Sequence, residues 1–178
     1  MESVSNIMSI VFLSITLCFI LQSHQVYGDL ITGTCEHALY KDLCVTSLKS
    51  DPLSESADLK GLASIALSLA TKHTTNMAYH IAELLNDTTD PFIQQSLTDC
   101  SESYMDAIDQ LEDSAAALDT GAYNDVNMWV SAAMTDAHSC DDLFTQQPDS
   151  GSSVTVGNKG FKELCSNALA ITNLLAKA

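Results

Sequence analysis

Four long runs of apolar residues, spaced three or four positions apart, commit this chain to packing as amphipathic helices. The first run is Leu59, Leu62, Ala66, Leu69, Met77, Ile81 and Leu84, and it follows the N-cap candidates Ser56-Ala57-Asp58. The second opens on Asp90-Pro91, an N-cap ahead of a helix-start proline. It continues through Ile93, Leu97, Cys100, Tyr104, Ile108, Leu111, Ala115 and Leu118 to Gly121, a helix-ending glycine. Val126, Val130, Ala133, Ala137, Cys140 and Phe144 mark a third helix that stops before Pro148. Ser150-Gly151-Ser152-Ser153 reads as a flexible connection, and a last helix carries Phe161, Leu164, Ala168, Ile171 and Leu175. No stretch alternates with period two for long enough to argue a sheet. One apolar stripe per helix and short connections predict an all-α, up-down-up-down four-helix bundle. The segment from Leu30 to Lys49 breaks near Tyr40-Lys41-Asp42 and reads as a small helical hairpin ahead of the bundle.

The first 28 residues read as an address. The apolar stretch Ile7 to Leu21 is followed by Gln22-Ser23-His24-Gln25, and Val26-Tyr27-Gly28 places a β-branched and a small residue at the −3 and −1 positions of a signal-peptidase site. The stretch is short, and interrupted by Ser14 and Thr16, for a membrane span of roughly 20 residues. Its leading segment has Glu2 and no Lys or Arg, so its positive charge rests on the amino terminus. The expectation is a secreted, extracellular protein with Asp29 as its first mature residue. The mature part, 29–178, divides into the hairpin over 29–52 and the bundle over 56–178.

Secretion makes the cysteines informative. Cys18 lies in the address segment, leaving Cys35, Cys44, Cys100, Cys140 and Cys165, an odd number that suggests two bridges and one leftover thiol. Spacing alone leaves many pairings open. The helix layout narrows them: Cys35 and Cys44 flank the break in the hairpin. Cys100 stands 21 residues before Gly121 and Cys140 stands 19 after it, the same level in antiparallel helices joined there. On the loop-entropy account such bridges contribute roughly 3 to 4 kcal/mol each. Cys165 falls on the apolar side of the last helix, where a buried, inert thiol is expected. A single sequon, Asn86-Asp87-Thr88, sits in an expected inter-helix loop where a glycan would be accepted.

Charge and motifs exclude most chemistry. All seven basic residues are Lys, and without Glu2 there remain 22 acids, a formal charge of −15. Phosphate backbones need a basic surface, so nucleic acid is excluded as a partner, and anionic membranes are disfavoured on the same ground. His73 and His80 share a helix face two turns apart, about 10 Å along the axis, too far to hold one metal ion jointly. His73 interrupts an apolar stripe and reads as a satisfied core histidine; His37 and His138 add no ligand set. No HExxH, CxxC, phosphate loop or nucleophile elbow is present. No catalytic residue, cofactor or metal is therefore expected. Glu102, Asp106, Asp109 and Asp113 share one face of the second bundle helix. They form either a solvated surface or a docking stripe for a basic partner.

Several motifs resemble one family. Cys35, eight residues, Cys44, then Ser50-Asp51-Pro52 and Asp58-Leu59-Lys60-Gly61-Leu62 resemble the opening of the plant invertase and pectin methylesterase inhibitors. Cys100-Ser101-Glu102-Ser103-Tyr104 with Ala107 is similar to the family's C-x-E-x-Y-x-x-A motif. Ala132-Ala133-Met134-Thr135 through Cys140-Asp141-Asp142 is similar to A-A-x-T-x-x-x-T-C-x-D/E, with Ser139 where threonine is usual. The closing Ile171-Thr172-Asn173-Leu174-Leu175 also fits. The resemblance implies the bundle and hairpin, bridges Cys35–Cys44 and Cys100–Cys140, and a free Cys165. It implies a cell-wall protein, a monomer or weak homodimer, that caps a carbohydrate enzyme's cleft one to one. Two targets divide the family, pectin methylesterase and acid invertase; some relatives carry the fold as secreted, pollen-type bundles without a target. Invertase inhibitors resemble one another in a Pro-Lys-Phe motif before the third bundle helix, and Tyr123-Asn124-Asp125 stands there instead. Gly121-Ala122-Tyr123-Asn124 resembles the Gly-Asp-Tyr-x pattern of pectin methylesterase inhibitors, so that enzyme is the expected partner. Carried over, Glu102, Asp106 and Asp109 are the acidic docking residues, with Asn127, Ser131 and Thr135 as polar partners on the facing helix.

Overall fold

A computed structural model describes residues 30–145 and 152–177. The expected signal segment 1–28, the cleavage point before Asp29 and the Ser150-Gly151 part of the connection lie outside the described residues. Among the described residues every regular element is helical. A short helix α1 over 30–35 and α2 (Lys41–Lys49) form the hairpin, and a 3₁₀ turn (Pro52–Ser56) leads to the bundle. The bundle consists of α3 (Leu59–Asp87), α4 (Pro91–Thr120), α5 (Tyr123–Leu143) and α6 (Ser152–Leu175).

Each start and stop has a local cause. Asp51 accepts the amide of Leu53 ahead of Pro52, Asp58 accepts that of Gly61, and Asp90 accepts those of Phe92 and Ile93. α4 ends at Gly121, the one described residue with positive φ, at 75°. Its amide bonds to the Leu118 carbonyl at 3.1 Å and that of Ala122 to the Ala117 carbonyl at 2.9 Å. This is a Schellman arrangement, which turns the chain back within two residues. Lys60 donates to the Asp119 carbonyl at 3.0 Å, placing a cation on the negative end of α4.

α3 packs on α4 and α6, and α5 packs on the same two helices from the other side, giving the square, antiparallel bundle. The core forms two clusters. The larger holds Leu62, Leu67, Leu111, Leu118, Val126, Val130, Phe161 and Ile171, together with Ile31, Cys35, Cys44 and Leu48 of the hairpin. The smaller, toward the α3–α4 turn, holds Met77, Ile81, Ile93, Leu97, Cys100, Tyr104, Cys140, Phe144 and Val154. Cys35–Cys44 lies in the first, with Cα atoms 5.6 Å apart, and Cys100–Cys140 in the second, at 4.9 Å. Cys165 is a free, fully buried thiol whose pKa is pushed up by that burial. The hairpin is tied to the bundle by Asn167, which donates to the Tyr40 carbonyl at 3.2 Å.

Three local expectations shift. On α4 the core stripe takes Ala107 and Ser114, while Ile108 is half-buried and Ala115 exposed; Ser114 is tolerated inside because its hydroxyl bonds to the Gln110 carbonyl at 2.9 Å. Asn86 is exposed but belongs to the last turn of α3, not to a loop, because the Thr88 amide extends the ladder to the Leu84 carbonyl. Ser152 and Ser153 belong to α6, whose start is gripped by α3. His80 Nε2 lies 2.9 Å from Ser153 Oγ, and His73 Nε2 donates to the Gly157 carbonyl at 2.9 Å. Gly157 permits that approach, since a Cβ there would sit 2.1 Å from Met77 Sδ.

Replacing Cys100 and Cys140 by alanine opens a loop with a sequence separation of 40, against 9 for Cys35 and Cys44. Urea unfolding is expected to show losses of ~4 kcal/mol and ~3 kcal/mol respectively. Equal losses would mean that chain entropy does not govern either bridge.

Candidate functional site

α4 and α5 form one long face of the bundle, folded back at Gly121 and stapled at the level of Cys100 and Cys140. Seven acidic residues lie on α4 and four on α5, and neither helix has a Lys or Arg. The lysines lie elsewhere: Lys41 and Lys49 on the hairpin, Lys60 and Lys72 on α3, Lys159 and Lys162 on α6, and Lys177 beyond it.

Glu102, Asp106 and Asp109 are all exposed on α4, and among the described residues none has an ion-pair partner. Met105 sits among them, 62% exposed, and Met128 of α5 is 55% exposed. An exposed thioether beside unpaired carboxylates gives a surface that can both attract a cation and adapt to an apolar contact. Ser131 and Thr135 are exposed on α5, and the Thr135 hydroxyl donates to the Ser131 carbonyl at 3.0 Å. Asn127 is placed differently. It is half-buried and its Nδ2 donates to Asn173 Oδ1 of α6 at 2.9 Å, so it marks the α5–α6 margin. The structure thus brings five of the six residues onto one exposed face and seats the sixth at its edge.

The face is held flat from beneath by polar residues that sequence reading missed. Asn158 of α6, fully buried, donates through Nδ2 to the Ala137 carbonyl at 3.1 Å and to Asp141 Oδ1 at 2.5 Å. Its Oδ1 accepts the Tyr104 hydroxyl, and Asp141 Oδ2 is paired with Lys162 at 2.6 Å. Burial, with Asp141 and Cys165 adding to it, pushes the Tyr104 pKa up, so the phenol remains a donor. The ring of Tyr104 meets Phe161 with centroids 6.4 Å apart. One network therefore joins α4, α5 and α6. Its signal in the sequence was an asparagine three residues before Phe161, on the apolar stripe. At the α4–α5 seam Asp136 is half-buried; desolvation raises its pKa, the Gln110 hydrogen bond opposes this, and Asp106 adds to the rise. Among the described residues no group of three His, Cys, Asp or Glu is placed to hold a metal ion. The arrangement offers an exposed, negatively charged surface.

Known proteins give the face its context. The family described as plant invertase/pectin methylesterase inhibitor matches residues 29–171. A pectinesterase inhibitor of Actinidia deliciosa is 36% identical over 153 residues, 86% of this chain and 83% of that protein. A cell wall / vacuolar inhibitor of fructosidase from Arabidopsis thaliana is 40% identical over 116 residues, 65% of this chain and 64% of that one. Among solved structures, a mutant form of a pectin methylesterase inhibitor from Arabidopsis aligns with TM-score 0.69 at 28% identity, covering 79% of this chain and 93% of its own.

Asn158→Leu is expected to cost about 3 kcal/mol in denaturant unfolding, because it strands the Tyr104 hydroxyl and the Asp141–Lys162 pair together. A loss below about 1 kcal/mol would show that the three helices do not depend on this network.

Proposed function

The chain belongs to the plant invertase/pectin methylesterase inhibitor family, a family of inhibitors and not of enzymes, and from that premise we propose that its target is pectin methylesterase. The observation that carries this is the face of α4 and α5, two helices with eleven acids and no Lys or Arg between them, whose stripe Glu102, Asp106 and Asp109 lies unpaired in solvent. In this reading the face caps the enzyme's cleft one to one, the carboxylates meet basic residues at its rim, and Ser131 and Thr135 supply polar contacts. Asn127 supports the edge of the face through Asn173. Inhibition is steric: a helical face occupying the cleft excludes the polymer, and the inhibitor contributes no reacting group.

The choice of target follows from the turn between α4 and α5. Tyr123-Asn124-Asp125 stands where invertase inhibitors carry Pro-Lys-Phe, and these residues open α5 with Tyr123 packed against the core. Acid invertase remains the second reading, favoured by the similarity to the Arabidopsis inhibitor of fructosidase. Secretion to the cell wall belongs to the same proposal. It is supported by the apolar leader, by two bridges that need an oxidising compartment, and by the start of the family match at residue 29. A glycan on Asn86, exposed at the α3–α4 end, would stand clear of the stripe.

Titration of the oxidised, leader-free protein against a plant pectin methylesterase and an acid invertase, at pH 5 and pH 7, tests the reading. Loss of methylesterase activity at one-to-one stoichiometry is expected; loss of invertase activity alone would reverse the choice of target, and loss of neither would remove the inhibitor reading. Asp106→Lys combined with Asp109→Lys is expected to slow association about tenfold or more at low salt, with the helical signal and thermal midpoint retained. An unchanged association rate would move docking off this stripe.

A further inference from the structure

Sulfur is divided unevenly between the inside and the outside of this molecule. Cys35, Cys44, Cys100 and Cys140 are closed into bridges and buried. Cys165 is fully buried, and that burial pushes its pKa up, so it offers an oxidant neither access nor a thiolate. Of the four methionines among the described residues, Met77 lies in the smaller core cluster and Met134 packs half-buried against the larger one. Met105 and Met128 are the two left in solvent, 62% and 55% exposed. Met105 has the more particular surroundings. Glu102 stands three residues before it and Asp109 four after it, the spacings that make side chains neighbours on one helix face, and Asp106 adjoins it. The Cys100–Cys140 bridge sets the antiparallel register of α4 and α5: five residues on from Cys100 is Met105, and five back from Cys140 is the exposed Thr135. The thioether is therefore an uncharged tip inside the acidic stripe, level with a polar residue of the facing helix. Neither helix has a Lys or Arg, so the field that attracts a basic partner repels an anionic oxidant and leaves a neutral one free to approach.

We propose that Met105 is an oxidation site, through which a neutral peroxide weakens the grip of the α4–α5 face on its protein partner. A lone pair of Met105 Sδ attacks one oxygen of hydrogen peroxide. The S–O bond forms, the O–O bond breaks, and after proton transfer the second oxygen leaves as water. Sulfur is oxidised by two electrons to the sulfoxide, and the peroxide is reduced by the same two. The product is polar and chiral, and it sets a strongly hydrated oxygen among carboxylates where a soft apolar tip stood. A partner that covers this position must strip that hydration without a matching hydrogen bond. No core residue changes, so the bundle keeps its fold while the face loses its adaptable contact. Formation of the sulfoxide depends on exposure alone. Its effect on docking rests on the function proposed above, and the experiment reads the two separately.

The disulfide-bonded, leader-free protein is treated with hydrogen peroxide and mapped by peptide mass spectrometry at successive times. Met105 and Met128 are expected to become sulfoxides while Met77 is still a thioether and Cys165 still a thiol, with the helical signal unchanged. Oxidation of Cys165 ahead of Met105, or one common rate for all four methionines, overturns the site. Treated and untreated protein are then titrated against whichever of the two enzymes the untreated protein inhibits. Affinity is expected to fall about tenfold on treatment, in line with the loss of one buried thioether contact. In Met105→Leu the ratio of treated to untreated affinity is expected to be one, whatever its starting value, and in Met128→Leu it is expected to match that of the unsubstituted protein. Protection by Met128→Leu in place of Met105→Leu, or an affinity that treatment leaves alone, overturns the role of Met105 in docking. Untreated protein that inhibits neither enzyme removes the proposed function and the docking effect with it, while the order of oxidation still decides the site.

Discussion

Asn158 is the point at which three of the four long helices agree on their rotation. A helix bundle packed only by apolar stripes tolerates small axial turns and slips, because dispersion contacts have little directional preference. A buried amide making three hydrogen bonds, to Tyr104 on α4 and to Ala137 and Asp141 on α5, has far less latitude. Turning α6 by a fraction of a residue step would strand all of them. The two neighbouring helices thus inherit their facing from one residue on the third, and every exposed residue on α4 and α5 is aimed by it. Lys162 completes the arrangement by neutralising Asp141 where a lone carboxylate would otherwise be costly.

The outward result is a molecule of two unlike layers. α4 and α5 carry acids alone, whereas α3, α6 and the hairpin hold nearly every lysine. An inhibitor needs no reacting group, but it does need a surface that keeps its shape while another protein is pressed against it. The features of this chain fit that requirement: short turns at Gly121 and at 88–90, a bridge across the α4–α5 pair, and a buried polar anchor beneath it. Helix α2 of the hairpin packs on α3 and α6.

Much of this was legible from spacing. Periodicity alone placed the four bundle helices, and the near-symmetry of Cys100 and Cys140 about Gly121 anticipated that the two would meet. What escaped detection was polar. Asn158 looks like an interruption of its stripe until its partners on two other helices are known, and those partners lie 54 and 17 residues away in the chain. Asn127 shows a related limit: spacing places a residue on a face, but only packing reveals that its amide meets Asn173 of α6. Ser152 and Ser153 read as linker because serine and glycine favour turns, yet a histidine from α3 holds Ser153 within a helix. The α4 stripe slid by one position at Ala107 and Ser114 because a 30-residue helix drifts against any fixed three-four rule.

The division of the core into two clusters has a consequence for how the molecule comes apart. Each cluster contains one disulfide, and neither bridge spans both. Opening of the end built on Met77, Ile93 and Phe144 leaves the hairpin end cross-linked, and the reverse holds as well. Local opening free energies, read from backbone amide exchange, then belong to two zones that meet where Tyr104 touches Phe161.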